Sequence, residues 1–138
     1  MKTVAENIKP VVSIEPDTKT TTVDGSVVDT FGFDNLQVVI SAGVIDTGDG
    51  DETYSVKLQE GAASDGSDMA DITGTSLDIT ASHQLKTIGV MGLGTGVRKR
   101  YQRVVLTIGG TTPSILVGAL FNLGRGAENP VVVPDAKV

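Results

Sequence analysis

The densest alternation of apolar and polar positions runs from Val97 to Gly124, VRKRYQRVVLTIGGTTPSILVGALFNLG. Side chains of an extended strand alternate between two faces. Over residues 101–108 this places Val104, Leu106 and Ile108 on one face and Arg103, Val105 and Thr107 on the other. Over residues 114–123, Ile115, Val117, Ala119 and Phe121 share one face, and Leu116, Gly118 and Leu120 share the opposite one. Both stretches are apolar enough on two faces to sit centrally in a sheet. The Gly-Gly-Thr-Thr-Pro segment between them predicts a turn, so the two strands are expected to form a β-hairpin.

The same periodicity predicts the remaining strands. Residues 26–31 form a short candidate, followed by a turn at 32–35 and a strand at 36–43 with Leu36, Val38 and Ile40 on one face. Residues 53–60 alternate most cleanly, Tyr54, Val56 and Leu58 against Ser55, Lys57 and Gln59. Two short strands at 69–73 and 76–80 are broken by Gly74, and another strand covers 85–91. A single helical turn is expected at 81–84, and no segment sustains a helical period. About eight strands, separated by turn signals at roughly ten-residue spacing, predict an all-β antiparallel β-sandwich or jelly roll.

The two ends of the chain read differently. Residues 1–25 combine Pro10, Pro16 and a threonine-rich run, with Val11, Val12 and Ile14 as the one apolar patch, and are expected to form an extended N-terminal arm. An edge strand behind a frayed terminus fits the same residues. The sandwich domain is then 26–125, and residues 126–138, with Pro130 and Pro134, form an extended C-terminal tail.

A length of 138 residues suits one domain with a core of its own. Cysteine is absent, which excludes disulfides, thiolate metal sites and a cysteine nucleophile. The apolar stretch 115–121 is too short to span a bilayer, and MKTVAENIKPVV lacks the apolar run of a signal peptide, so synthesis in the cytoplasm and no membrane association are expected. The net charge of −6 is uneven: residues 1–97 carry fifteen acids and five bases, net −10, and residues 98–138 two acids and six bases, net +4. An acidic body disfavours nucleic acid, whose affinity comes from neutralised phosphates, and favours a protein partner.

Candidate chemistry is sparse. Asp46, Asp49, Asp51 and Glu52 place four carboxylates within seven residues, a hard-oxygen set suited to calcium, but the spacing is not that of an EF-hand and a solvated hairpin loop accounts for the same residues, so no metal is expected. His83, the sole histidine, lies beside Ser82 and near Asp78, without the G-x-S-x-G elbow of a hydrolase. Gly92, Gly94 and Gly96 match no phosphate-binding pattern. Arg98, Lys99, Arg100 and Arg103 form the densest basic cluster; it reads either as a contact with an acidic partner surface or as a solvated loop.

The succession Val27-Val28-Asp29-Thr30, Gly32-Phe33-Asp34-Asn35-Leu36-Gln37-Val38-Val39-Ile40, Tyr54-Ser55-Val56-Lys57-Leu58-Gln59-Glu60-Gly61, Arg100-Tyr101-Gln102-Arg103-Val104-Val105-Leu106-Thr107 and Pro113-Ser114 resembles small β-sandwich virion proteins of tailed bacteriophages, of the head decoration or cement type. The resemblance implies a structural protein without enzymatic activity or cofactor. It implies a chain made in the host cytoplasm that binds the major capsid protein on the capsid exterior, commonly as a trimer, and stabilises the head by non-covalent cross-linking of capsomers. Under it, the arm with Val11, Val12 and Ile14 clasps the capsid, and Arg98, Lys99, Arg100 and Arg103 contribute to subunit or capsid contacts. A tail- or fibre-associated carbohydrate-binding adhesin is the alternative, against which stand the absence of tryptophan and only five aromatic residues. A hydrolase using paired carboxylates or His83 is a third class.

Overall fold

The computed structural model of the chain describes residues 3–125 and 136–138. One helical turn, α1 (Val4–Asn7), precedes eleven strands: β1 (Ile8–Lys19), β2 (Val23–Asp24), β3 (Val28–Asp29), β4 (Asn35–Ile45), β5 (Thr53–Gly61), β6 (Ala70–Asp71), β7 (Leu77–Asp78), β8 (Leu85–Met91), β9 (Tyr101–Gly109), β10 (Ile115–Gly124) and β11 (Ala136–Lys137). The helical turn thus lies at the N-terminal end and not at 81–84, where the chain makes a plain turn.

The first sheet has the order β1-β10-β4-β8-β11, antiparallel apart from β11, which lies parallel to β8. In the second, β9 and β5 are central, with β2 and β3 along the free edge of β9 and β6 and β7 along that of β5. Taking β2 with β3, and β6 with β7, as interrupted strands leaves eight plus the short β11. They run first-eighth-third-sixth in one sheet and second-seventh-fourth-fifth in the other, the order of a jelly roll. At the break between β6 and β7 the buried Thr75 hydroxyl takes over the ladder, accepting from Leu58 N at 3.0 Å and donating to Ile72 O at 2.7 Å.

β9 and β10 match the expected strand spans but do not form the expected hairpin. They belong to opposite sheets: β9 pairs with β5, β2 and β3, and β10 with β1 and β4. Their inward rows explain this, because Val104 and Leu106 on β9 and Val117, Ala119 and Phe121 on β10 are all buried and meet across the core from two sides. Period-two alternation identifies the buried face of a strand without saying which sheet holds it. The link crosses between sheets through Gly110, at φ +102°, where a side chain would meet the Asp51 carbonyl at 2.6 Å.

Of the two readings of the N-terminal segment, the edge strand is the one the structure shows. From Ile8 to Lys19 it is no free arm but the edge strand of the first sheet, antiparallel to β10 from Ile8 opposite Gly124 to Lys19 opposite Ile115. An edge tolerates Pro10 and Pro16, and two register irregularities, at 12–14 and 14–17, absorb the mismatch. Residues 136–138 also rejoin the sandwich: Met91 N donates to Val138 O at 3.0 Å and Val138 N to Gly89 O at 2.9 Å. The remainder of the expected tail, 126–135, lies outside the described residues.

Where β1 passes toward β2 the two sheets are stitched together. The buried Ser13 Oγ donates to Ser26 O at 3.0 Å and accepts from Val104 N at 3.1 Å, while Gly25 N donates to Val104 O at 2.8 Å. A Cβ on Gly25 would fall onto Ser13 Oγ and within 2.7 Å of the Val104 carbonyl. Gly25→Ala is therefore expected to cost about 1–3 kcal/mol by forcing this seam apart; urea unfolding checks it, and a midpoint equal to wild type would contradict the packing.

Candidate functional site

Folding brings acids from the N-terminal body onto the basic cluster. Arg98 Nη1 lies 3.3 Å from Glu60 Oε1, both side chains largely buried, and the other Glu60 oxygen accepts from Lys99 N at 3.0 Å. Arg100 donates through Nε and Nη2 to the two Asp29 oxygens, each at 2.8 Å, and its guanidinium carbon lies 4.6 Å from the centre of the Phe31 ring. Arg103 donates to Gln59 Oε1 at 2.9 Å and sits 3.5 Å from Asp24. Among the described residues only Lys99 of the four cluster cations has no ion pair. The cluster closes the end of the second sheet on itself, which leaves Arg98, Arg100 and Arg103 already matched with acids of their own chain.

The Arg100 hydrogen bonds, aided by Phe31 N–H, hold the Asp29 carboxyl down to about 2. Asp71, beside Lys57 and Gln59, and Asp51, which accepts from the Thr111 amide and hydroxyl, are lowered as well. An aspartate in the unfolded chain titrates near about 3.9, so the Asp29–Arg100 contribution is complete above that pH and is lost as the pH falls toward about 2. Both side chains are nearly half exposed, so solvent screens the pair and its contribution is small. Thermal midpoints are expected to be flat from pH 7 to pH 5 and to fall below about pH 4. Asp29→Asn should make that fall shallower, and an unchanged acid limb would contradict the pairing.

The apolar patch of the N-terminal segment divides. Ile14 is in the core at 2% exposure, Val11 stands half-buried in the inward row opposite Phe121, and Val12 alone faces outward, 42% exposed, opposite Leu120. Ile14 is therefore not available to clasp a partner.

The acidic loop is spent on structure. Asp46 accepts from Gly48 N, Glu52 from the amides of Asp49 and Gly50, Asp49 from the Thr112 hydroxyl and Asp51 from Thr111. Tyr54 hydroxyl donates to Asp46 O at 2.6 Å and accepts from Ser114 N at 3.0 Å, so the two sheet-crossing links brace each other. Among the described residues no group of three His, Asp or Glu side chains could hold a metal. Ser82 Oγ accepts from Ile45 N, the exposed His83 stands at φ +62°, and Asp78 pairs with Ser55 in the second sheet; no hydrogen bond joins the three side chains. Gly92, Gly94 and Gly96 form a tight turn at positive φ.

What the fold leaves open is the outer face of the first sheet. The registers align outward rows across it: Pro10, Asn122, Gln37 and Gly89; Val12, Leu120, Val39 and Thr87; and Gly118, Ser41 and Leu85, with Pro16 packed over Gly118. Leu116 lies across Gly43 at the end of the face. On β1, β10, β4 and β8 these rows contain no Asp, Glu, Lys or Arg, in a chain that is 20% charged; at the rim, Lys137 of β11 takes the register position beside Gly89, and Glu15 falls in the irregular stretch of the edge strand. An open groove of about 560 Å³ runs over this face, lined by Val12, Pro16, Val39, Leu85, Leu116 and Leu120 among others. Leu85 is 61% exposed, Leu116 45%. The outer face of the second sheet is the opposite in character, crossed by the Lys57–Asp71 and Arg103–Asp24 ion pairs.

The sequence carries a signal for this face that strand periodicity alone does not expose: residues 35–45 and 104–124 contain no charged side chain. Comparison with protein-family models and with curated proteins finds no match to this chain.

Proposed function

We propose that the protein is a structural component of a tailed-bacteriophage particle that binds the major capsid protein on the head exterior and strengthens the shell by non-covalent cross-linking. The observation that carries this reading is the contrast between surfaces: arginines and loop carboxylates are used up inside the chain, while four strands present an uncharged outer face on which Val12, Leu85 and Leu116 are exposed. Such a surface serves adhesion, since contiguous exposed apolar area marks an interaction site. The jelly-roll order suits a shell protein, as this architecture recurs in viral capsids, and fold alone does not assign the role. The resemblance over residues 27–123 supplies the phage context.

Sedimentation of the purified chain with heads of the source phage stripped of their accessory proteins tests the proposal. Saturable co-sedimentation with a fixed ratio to capsid protein is the expected result. A chain that stays in the supernatant with heads, yet pellets with tails or fibres, would replace the head assignment by the adhesin.

A further inference from the structure

We propose that the outer face of the first sheet is where two copies of this chain pair, sheet against sheet across a two-fold axis. The charge distribution selects a second copy as the occupant. Each chain carries −6, so pairing through most of its surface sets like charge against like charge, whereas the four strands β1, β10, β4 and β8 meet their own copy without any, Lys137 standing only at the β11 rim. A face-to-face contact of identical surfaces is isologous and closes at two subunits. Its pattern is self-complementary: with the axis between β10 and β4, Leu120 meets Val39 of the second copy, and the Asn122 amide meets the Gln37 amide, each able to donate and accept.

The size is adequate. Four strands about 4.8 Å apart, seven to twelve residues long at about 3.3 Å per residue, give on the order of 600 Å² per copy. Two such faces together reach about 1,200 Å², the lower bound of specific protein interfaces. The expected pair is therefore reversible and concentration-dependent. Pairing covers the face on which the capsid reading rests, so a paired unit would meet the capsid through its remaining surfaces, each presented twice. Pairing stands on the face alone, however, and is tested without capsid.

Light scattering of the purified full chain from about 1 μM to about 1 mM measures it. The expected mass rises to twice the 14.3 kDa of one chain. Leu116→Lys, at an exposed position on the central strand β10, places two lysines in the contact and should raise the dissociation constant at least about 100-fold. Leu85→Lys, on a still more exposed position, should act in the same direction and decides the matter if Leu116→Lys fails to fold by circular dichroism. Thr107→Lys, exposed on the outer face of the second sheet, should leave the mass unchanged. A wild-type mass of one chain throughout, a mass of three chains, or a pair that both folded lysine variants leave intact would overturn the proposal.

Discussion

A chain beginning at Ser26 is expected to show no cooperative unfolding transition. Removing residues 1–25 deletes β1 and β2 and turns β10 from an inner strand into an open edge. Ile14, almost fully buried, is lost from the core, and a deletion of that one side chain to alanine already costs about 2–5 kcal/mol. Ser13 goes with it, so Val104 N, buried in the second sheet, loses its acceptor, and the seam joining the sheets through Gly25 disappears. Against a typical total stability of about 5–15 kcal/mol, these losses together exceed what the remaining sandwich retains. Far-UV circular dichroism and urea titration of the truncated chain check this; a sigmoidal transition near the wild-type midpoint would show that the segment is dispensable. Loss of particle binding on such a truncation therefore reports unfolding, and point substitutions on exposed positions are the informative probes of binding.

Phe121→Ala is expected to destabilise the fold by about 3–5 kcal/mol. Phe121 is the largest fully buried side chain, on an inner strand, standing between Val11 of β1 and Val38 of β4. Alanine there leaves a void that the flanking strands, fixed by their ladders, collapse into only partly. Phe121→Leu keeps more of the volume and is expected to cost about 1.5 kcal/mol or less. Urea midpoints read both, with an unchanged slope for each; a cost below about 1 kcal/mol for the alanine variant would contradict the placement of this ring at the centre of the core.

Strand positions were largely legible in the sequence because half-buried strands advertise their inward face. Thr53 to Glu60 became β5 with one residue added, and the 85–91 candidate coincides with β8. β1 was legible only as the alternative to a free arm, because an edge strand interrupted by bulges buries few side chains, Ser13 and Ile14 fully, and so shows no sustained alternation around its prolines. The hairpin expectation failed at the next level, since sheet membership depends on which distant strands take the edges of β9 and β10. The basic cluster misled for a related reason. Its acids lie far off in sequence, Glu60 38 residues from Arg98 and Asp29 71 residues from Arg100, so a local excess of charge concealed a set of pairs. The neutral outer face became visible only once registers aligned Val12, Leu120 and Val39 into one row.

Immunogold electron microscopy of tailed-phage particles from the source, with antibody raised against this chain, tests the proposed structural role most directly. Dense, regular label over the heads is the predicted result. Label confined to tails or fibres, or none on any particle, would contradict it.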